Sequence, residues 1–288
     1  MLDYHLHLWP HGERARQATV EELAAYCERA TEAGVTELAL TEHLFRFEQA
    51  DAVLGRWWRD EPDARMRDEM ARYWHEHVSA DLDAYVETAL AAKAAGLPVV
   101  IGMEVDYYPG RMDEVSALLA GYPFDVLLGS VHWLGTWMFD DLASAVAMAE
   151  WDARRVDAVW DDYTRALEEL AATGAVDVLA HPDLCKVTGR RPAVPDEWYD
   201  RMAEAAATAG IAAEVSSAGY LKPAAEPYSP PPLLRRFRRA GVPVTTASDA
   251  HRLAHVAHRA ADLRAMVLDA GYTTLQAFDG RKPHDVPV

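Results

Sequence analysis

Short apolar runs alternate with longer amphipathic segments along the whole chain. Seven runs have the length and β-branched content typical of buried strands, and most are followed by a segment with helical periodicity. This alternation indicates a parallel sheet, which right-handed crossovers would close into a barrel. The predicted strands are Leu2–Leu8, Glu37–Thr41, Pro98–Val105, Asp125–Val131, Asp177–Ala180, Ala212–Ser216 and Val244–Ala247.

Capping signals delimit the helical segments. Thr19 and Glu22 have the spacing of a capping box, and glycines such as Gly34 and Gly210 stand between a helix and the next strand. We therefore predict one α/β barrel domain over residues 1–288. The predicted helices are Val20–Ala33, Asp63–Ala95, Asp113–Ala120, Asp152–Ala172, Asp196–Ala209, Pro232–Ala240 and Leu253–Ala270.

Two segments are longer than a barrel connection requires. Arg46–Val78 contains Trp57 and Trp58 among many charged residues, which predicts a lid insert over residues 46–78 at one end of the barrel. Tyr220–Pro232 carries five prolines and is expected to be a rigid loop after the sixth strand.

Composition narrows the class of partner. With 28 Lys and Arg against 46 Asp and Glu, the formal charge is −18, which disfavours nucleic acid and acidic membranes as partners. Cys27 and Cys185 match no disulfide or zinc pattern, and the chain opens without a cationic leader and an apolar run. We expect a cytoplasmic protein; the sequence does not indicate its oligomeric state.

Metal-competent side chains stand where predicted strands end. His5 and His7 lie two apart on the first strand and so face the same side. Because the carboxyl ends of parallel strands meet at one face of a barrel, these side chains are expected to converge there. The same holds for Glu42, His43, Glu104, His132, His181, Asp183, Asp249 and His251.

Two carboxylates strengthen this interpretation. Glu104 ends a strongly apolar strand, and Asp249 follows another, so each needs a cation or donors to offset its desolvation. His75 and His77 provide a contrast, since they lie two apart in a helical, charged segment where such residues do not face each other. We interpret that pair as solvated helix surface and the strand-end set as a polynuclear metal site.

Several longer motifs carry a family resemblance. The stretches His5–His7, Thr41–His43, Glu104–Gly110 and His181–Leu184, with Gly129–His132 and Ser248–His251, resemble the polymerase and histidinol phosphatase (PHP) family of metal-dependent phosphoesterases. Glu104–Gly110 and Glu214–Tyr228 are similar to its histidinol-phosphatase branch in particular. The resemblance implies a distorted TIM-like (β/α)7 barrel of parallel strands.

The resemblance also implies three divalent metal ions, whether zinc, iron or manganese. One ion would have Glu104 as a ligand shared with a second, and a third would be bound by histidines alone. The implied ligands are His5, His7, Glu104 and Asp249 for the first ion, Glu104, His132 and His181 for the second, and His11, His43 and His251 for the third.

This sequence departs from the family pattern in three ways. Only three residues separate His7 from His11, so the first loop is short. Glu42 replaces an aspartate, and Ser216 stands where the histidinol-phosphatase branch has asparagine.

The expected activity is hydrolysis of L-histidinol phosphate to L-histidinol and phosphate, a step of histidine biosynthesis. A hydroxide held between metal ions would attack phosphorus in line, without a covalent intermediate. Asp249 or His251 would give a proton to the leaving oxygen. The candidate cations for the phosphate are Lys186, Arg190, Arg191, Lys222 and Arg252. Trp57, Trp58 and Trp133 either enclose the substrate or seal the barrel mouth.

Three other functions are compatible with parts of the pattern. A phosphoesterase of the same family acting on another small ester or diester is favoured by Ser216. Metal-dependent amidohydrolases also begin with His-x-His, but most bridge two metals through a lysine on the fourth strand, and Val126–Val131 contains none. A non-catalytic metal-binding barrel is the third.

Overall fold

Seven parallel strands form a nearly closed barrel in the computed structural model, which describes residues 1–288. The prediction of a parallel α/β barrel is confirmed. In sheet order the strands are β1 (Leu2–Asp3), β2 (Glu37–Leu40), β3 (Val99–Asp106), β4 (Val126–Ser130), β7 (Val178–Leu179), β8 (Ala212–Ser216) and β9 (Val244–Ala247).

The first and last strands meet and close the barrel. The Tyr4 amide donates to the carbonyl of Thr246 at 3.0 Å, and the His7 amide donates to the carbonyl of Ala250 at 2.8 Å. Leu6 and Ala250 also form an isolated parallel bridge. Regular pairing of β1 is shorter than the predicted Leu2–Leu8, but these bonds keep the chain beside β9 as far as His7.

Ten α-helices surround the strands. They are α1 (Val20–Glu32), α2 (Glu48–Leu54), α3 (Ala64–His77), α4 (Leu82–Ala94), α5 (Met112–Leu119), α6 (Ala145–Ala153), α7 (Val156–Ala172), α8 (Asp196–Ala209), α9 (Pro231–Ala240) and α10 (Ala260–Asp269). No helix combines the length and the apolar character needed to cross a membrane.

The predicted helix Asp63–Ala95 is wrong, because the chain breaks between α3 and α4. The amides of Ser79 and Ala80 both donate to the Arg46 carbonyl, and the Asp81 side chain caps α4. Helical periodicity on both sides of the break hid this tertiary contact. The predicted helix Leu253–Ala270 likewise consists of a single 3₁₀ turn followed by α10.

Two hairpins were not predicted. β5 (Trp133–Leu134) and β6 (Trp137–Met138) form a short antiparallel pair after β4. β10 (Thr274–Asp279) and β11 (Lys282–Pro287) pair over six residues at the end of the chain. Helix α6 was also missed; it packs Trp151 against Trp137 with ring centroids 5.2 Å apart.

Segment 46–78 packs its aromatic residues onto the barrel. Trp58 and Trp74 are buried, with ring centroids 5.3 Å apart, and Trp57 lies 5.7 Å from Trp133. The fully buried Arg46 donates to the carbonyls of Trp9, Pro10 and Glu13 and so anchors the first loop. The segment therefore lies beside the carboxyl ends of the strands.

Candidate metal centre

The predicted strand-end side chains converge at the carboxyl end of the barrel. His5 and His7 follow β1, His43 follows β2, and Glu104 lies within β3. His181 and Asp249 have φ values of 27° and 52°, in the left-handed region that non-glycine residues rarely adopt. Strain of this kind is concentrated at functional sites, where the surrounding structure maintains it.

The Glu104 carboxylate lies at the centre, between two groups of imidazoles. Its Oε2 is 3.3 Å from His5 Nε2 and 3.5 Å from His7 Nε2. Its Oε1 is 3.4 Å from His132 Nε2 and 3.0 Å from His181 Nε2. One carboxylate thus faces two ligand sets, which is the arrangement of a bridging ligand.

A second group of histidines adjoins the first. His7 Nε2 lies 3.3 Å from Asp249 Oδ1, and the His7 ring stacks on both His43 and His251 at centroid distances of 4.1 Å. His11 is exposed and stacks on His251 at 4.2 Å. His43 also places Nδ1 2.6 Å from Glu104 Oε2, so it contacts both groups.

Three carboxylates lie behind the histidines; Asp106 and Glu214 were not predicted as functional, and Glu42 was expected only as one of the strand-end groups. Glu214 Oε2 lies 2.7 Å from His5 Nδ1, and Asp106 Oδ1 lies 2.6 Å from His132 Nδ1. Glu42 Oε1 lies 3.3 Å from His7 Nδ1. Each turns the opposite ring nitrogen, Nε2, towards the centre, as carboxylate partners of metal-bound histidines do.

Their sequence signal was present but incomplete. Asp106 and Glu214 stand in the two branch-specific runs, and Glu42 precedes His43. Nothing along the sequence pairs Glu214 with His5 across 209 positions. That pairing exists because β1 and β8 both end at the same face of the closed barrel.

The electrostatics of the site call for added positive charge. Burial raises the pKa of Glu104, but the imidazoles of His43, His5 and His132 outweigh this effect and hold the pKa well below its usual range. Burial likewise opposes ionisation of Asp249, yet His5 and His7 lower its pKa to about 2. Both carboxylates therefore remain charged among imidazoles, where protons or metal cations must balance them.

Other histidines of the site remain neutral. Burial, followed by the neighbouring His7, lowers the pKa of His43 and of His251 well below the usual histidine range. A neutral imidazole offers a free lone pair, which is the form that binds metal.

Unpaired buried atoms indicate that the donor set fits metal ions. Without a metal, a buried nitrogen or oxygen that lacks a hydrogen bond costs free energy. The buried atoms without a hydrogen-bond partner include His5 Nε2, His7 Nε2, His43 Nε2, His251 Nε2 and Glu104 Oε2.

Five overlapping groups of three side chains each have ligand atoms within 4.8 Å of one another. They are His5–His7–Glu104, Glu104–His132–His181, His7–His43–His251, His5–His181–Asp249 and His43–Asp106–His132. The donors are imidazole nitrogens and carboxylate oxygens, the set that zinc, iron and manganese share. His11 is in none of these groups, so the structure brings together eight of the nine predicted ligands.

A cavity of about 630 Å³ opens above these histidines. Trp133 lines it, whereas Trp57 and Trp58 pack behind its wall. Lys222 and Arg252 are exposed at its edge and form no ion pair within 4.0 Å. Both remain available to a ligand phosphate.

The remaining candidate cations lie outside the cavity lining. Lys186 is fully buried, and its Nζ donates to the Pro227 carbonyl at 2.8 Å and lies 2.5 Å from Asp183. Arg190 pairs with Asp152 at 2.6 Å, and Arg191 pairs with Glu226. Existing partners occupy these three groups, so the geometry favours Lys222 and Arg252 over them as ligands of the phosphate.

Two further expectations need adjustment. His75 is exposed, but His77 is buried, stacks on Tyr73 at 3.9 Å and lines the cavity, so only His75 lies on the solvated surface.

Ser216 is buried outside the cavity lining, and its hydroxyl accepts a hydrogen bond from the Ala218 amide. It therefore carries no argument for a different substrate.

Comparison with known proteins agrees with this geometry. Residues 5–218 match the PHP domain family. The probable histidinol-phosphatase of Deinococcus radiodurans is 31% identical over 258 residues, which cover 89% of this chain and 90% of that protein.

A solved structure shares the fold. The crystal structure of histidinol phosphate phosphatase from Lactococcus lactis subsp. lactis, complexed with zinc, L-histidinol and phosphate, matches with a TM-score of 0.68 and 19% identity over 98% of each chain. Because the family match spans more than half of the sequence and includes the strand ends that carry Glu104 and most of the histidines around it, the chain belongs to the PHP domain family.

Proposed function

We propose that this protein is a metal-dependent phosphomonoesterase that hydrolyses L-histidinol phosphate to L-histidinol and phosphate. The observation that carries the proposal is Glu104, whose two oxygens face separate pairs of histidines beneath an open cavity. The relative from Deinococcus radiodurans and the Lactococcus lactis structure with zinc, L-histidinol and phosphate support the choice of substrate.

We further propose three divalent metal ions, with zinc, iron and manganese as the candidates. The ligands would be His5, His7, Glu104 and Asp249 for one ion, Glu104, His132 and His181 for the second, and His11, His43 and His251 for the third. For the third ion, His7 lies close enough to contribute, since it groups with His43 and His251.

When bound, these ions would lower the pKa of a water nucleophile and neutralise charge on the phosphoryl oxygens. The protein's part is to fix the donors. Glu214, Asp106 and Glu42 hold the Nδ1 atoms of their histidines, so each Nε2 keeps its direction without reorganisation during the reaction.

Residues at the cavity edge would position the substrate. Lys222 and Arg252 would bind the phosphate oxygens, since each is a free cation on the wall. The leaving alkoxide needs a proton, and Asp249 and His251, whose side chains lie 3.6 Å apart, are the two candidate carriers. Both are unprotonated in the metal-free site, so either would first take up the proton that the attacking water releases and then pass it to the alkoxide.

Segment 46–78 is proposed to act as a lid insert of one barrel domain that spans residues 1–288. Its helix α3 contributes Arg72, Tyr73, Glu76 and His77 to the cavity wall. A cover of this kind would exclude water from the reacting phosphate.

A steady-state assay tests the proposed function. Metal-loaded protein should release phosphate from L-histidinol phosphate with a higher kcat/KM than from a panel of sugar phosphates, nucleotides and phosphodiesters. Good turnover of another ester, with poor turnover of histidinol phosphate, would instead favour a different substrate within the same family.

The same assay addresses a non-catalytic role. Metal retained in the absence of any phosphatase activity would identify a binding module. The open cavity above the centre argues against that role, because catalytic sites keep room for water and substrate.

A further inference from the structure

The cavity contains a carboxylate that the proposed chemistry does not use. Asp140 follows β6 and lines the cavity on the side of the β5–β6 hairpin. Its backbone is well anchored: Trp151 Nε1 donates to the carbonyl of the preceding Phe139 at 2.7 Å, and the Leu142 amide donates to the Asp140 carbonyl at 3.0 Å. The position of this carboxylate is therefore built into the fold.

Asp140 has no partner in the protein. Its carboxylate accepts no hydrogen bond and lies within 4.0 Å of no Lys, Arg or His nitrogen. The adjacent Asp141 differs, because its Oδ1 accepts hydrogen bonds from the Ala143 and Ser144 amides at 3.1 and 3.2 Å. Asp141 therefore stabilises the local turn, whereas the Asp140 carboxylate is available to a ligand.

Aromatic side chains share this part of the cavity wall. Phe45, Tyr73, His77 and Trp133 line the same cavity, and Phe45 packs on Trp133 and on Tyr73 with ring centroids 5.6 Å apart in each pair. Burial is the main cause of the raised pKa of Tyr73, and the charge of Asp140 is the second. The two groups therefore lie near each other. An unpaired anion beside aromatic faces is suited to an organic cation with a flat ring.

We propose that Asp140 is a specificity-determining residue that binds the protonated amine of the substrate. This inference rests on the proposed function, because histidinol phosphate carries a primary amine and an imidazole in addition to its phosphate. The phosphate would lie at the metal centre and the amine at Asp140, with the imidazole along the aromatic wall. Neutral and anionic phosphate esters would cover the half-buried Asp140 carboxylate without giving it a partner, so the site would disfavour them.

Two substrates and two variants test the inference. The substrates are L-histidinol phosphate and its deamino analogue, 3-(imidazol-4-yl)propyl phosphate. For Asp140→Asn we expect kcat/KM on histidinol phosphate to fall about 10- to 100-fold, mainly through KM, because a hydrogen bond to a charged group is lost. Activity on the deamino analogue should change little or rise.

Asp141→Asn is the matched control, since it removes the same charge one residue away. It should discriminate between the two substrates as the parent protein does. Metal content of both variants should equal that of the parent, because neither side chain belongs to the metal-ligand groups that surround Glu104.

The outcomes separate the two proposals. If the parent hydrolyses histidinol phosphate but Asp140→Asn loses the same factor on both substrates, or loses metal, the amine-binding role is overturned while the proposed function stands. If the parent ignores histidinol phosphate and hydrolyses other esters, the proposed function fails and the inference fails with it. A selective loss on the amine-bearing substrate supports both.

Discussion

Asp125 and Asp177 at the amino end of the barrel differ from Glu104 and Asp249 at the carboxyl end in the partners of their carboxylates. At the amino end, Asp125 lies 2.7 Å from Lys93 Nζ and accepts hydrogen bonds from the Ile101 and Gly280 amides. Asp177, at the same end, accepts from the Leu127 amide and pairs with the guanidinium of Arg281. At the carboxyl end, Glu104 has no Lys or Arg partner within 4.0 Å, only histidines.

The difference shows which end is built for stability and which for a ligand. Asp125 and Asp177 join the β10–β11 hairpin to the barrel, and protein groups satisfy both of them. Glu104 and Asp249 are satisfied only if cations from solution enter. In barrels of this type, functional residues cluster at the carboxyl end, and this chain places its unpaired charge there.

Removal of metal should have the largest effect on activity, because it leaves the carboxylates at the carboxyl end of the barrel without cations. A chelator should abolish phosphatase activity, and zinc, iron(II) or manganese should restore it. Binding to the folded state alone stabilises a protein by about 4 kcal/mol at a ligand concentration of 1,000 Kd, so the melting temperature should fall by several degrees on chelation. Elemental analysis and thermal unfolding check this; metal-free protein with full activity would contradict it.

Glu104→Gln should be nearly as severe. The amide keeps the volume of the side chain but cannot bridge two cations, and metal ions contribute several kcal/mol to transition-state stabilisation, so kcat should fall roughly 10³-fold. Bound metal should fall as well. Glu169→Gln, at an exposed carboxylate, is the control and should match the parent. Unchanged metal content in Glu104→Gln would exclude the bridging role.

The carboxylates behind the histidines should have an intermediate effect. Asp106→Asn and Glu214→Gln leave every proposed ligand in place but weaken the orientation of His132 and His5. Metal affinity or kcat should fall about 10- to 100-fold. Titration of apoprotein with zinc, followed by activity, measures this; parent-like affinity and rate in both variants would show that the carboxylates only fill space.

Asp125→Asn should leave catalysis intact and lower stability. The substitution weakens the pair with Lys93 and the hydrogen bonds to two amides, so the free energy of unfolding should fall by about 2 kcal/mol. Urea unfolding checks the stability, and kcat/KM should equal that of the parent. A loss of activity in correctly folded Asp125→Asn would remove the distinction between the two ends.

Periodicity and strand composition were sufficient for the order and direction of the barrel strands. They failed where tertiary contacts override local signals. The break between α3 and α4 depends on the Arg46 carbonyl, which accepts two amides from the far end of the insert. The β5–β6 hairpin was missed because each of its strands has two residues, too few for a period to be visible.

The candidate site shows the same division. The sequence shows a histidine or carboxylate at a strand end, and parallel strands bring such residues to the same end of the barrel. The sequence does not show which carboxylate contacts which histidine, because Glu214 reaches His5 only across the closed barrel. The sequence also does not show which lysines are paired. Lys186 is buried against Asp183, whereas Lys222 is unpaired at the edge of the cavity.

The sequence by itself determined the alternation of strands and helices, and with it the end of the barrel where histidines and acids would gather, since side-chain direction and strand polarity follow from local geometry. Only the tertiary structure decided which charges are neutralised. Pairing depends on distances of a few ångströms between segments far apart in the chain, and closure of β1 onto β9 establishes those distances. In the closed barrel, Glu104, Asp249 and Asp140 have no Lys or Arg partner. Asp125 and Asp177, in contrast, pair with Lys93 and Arg281.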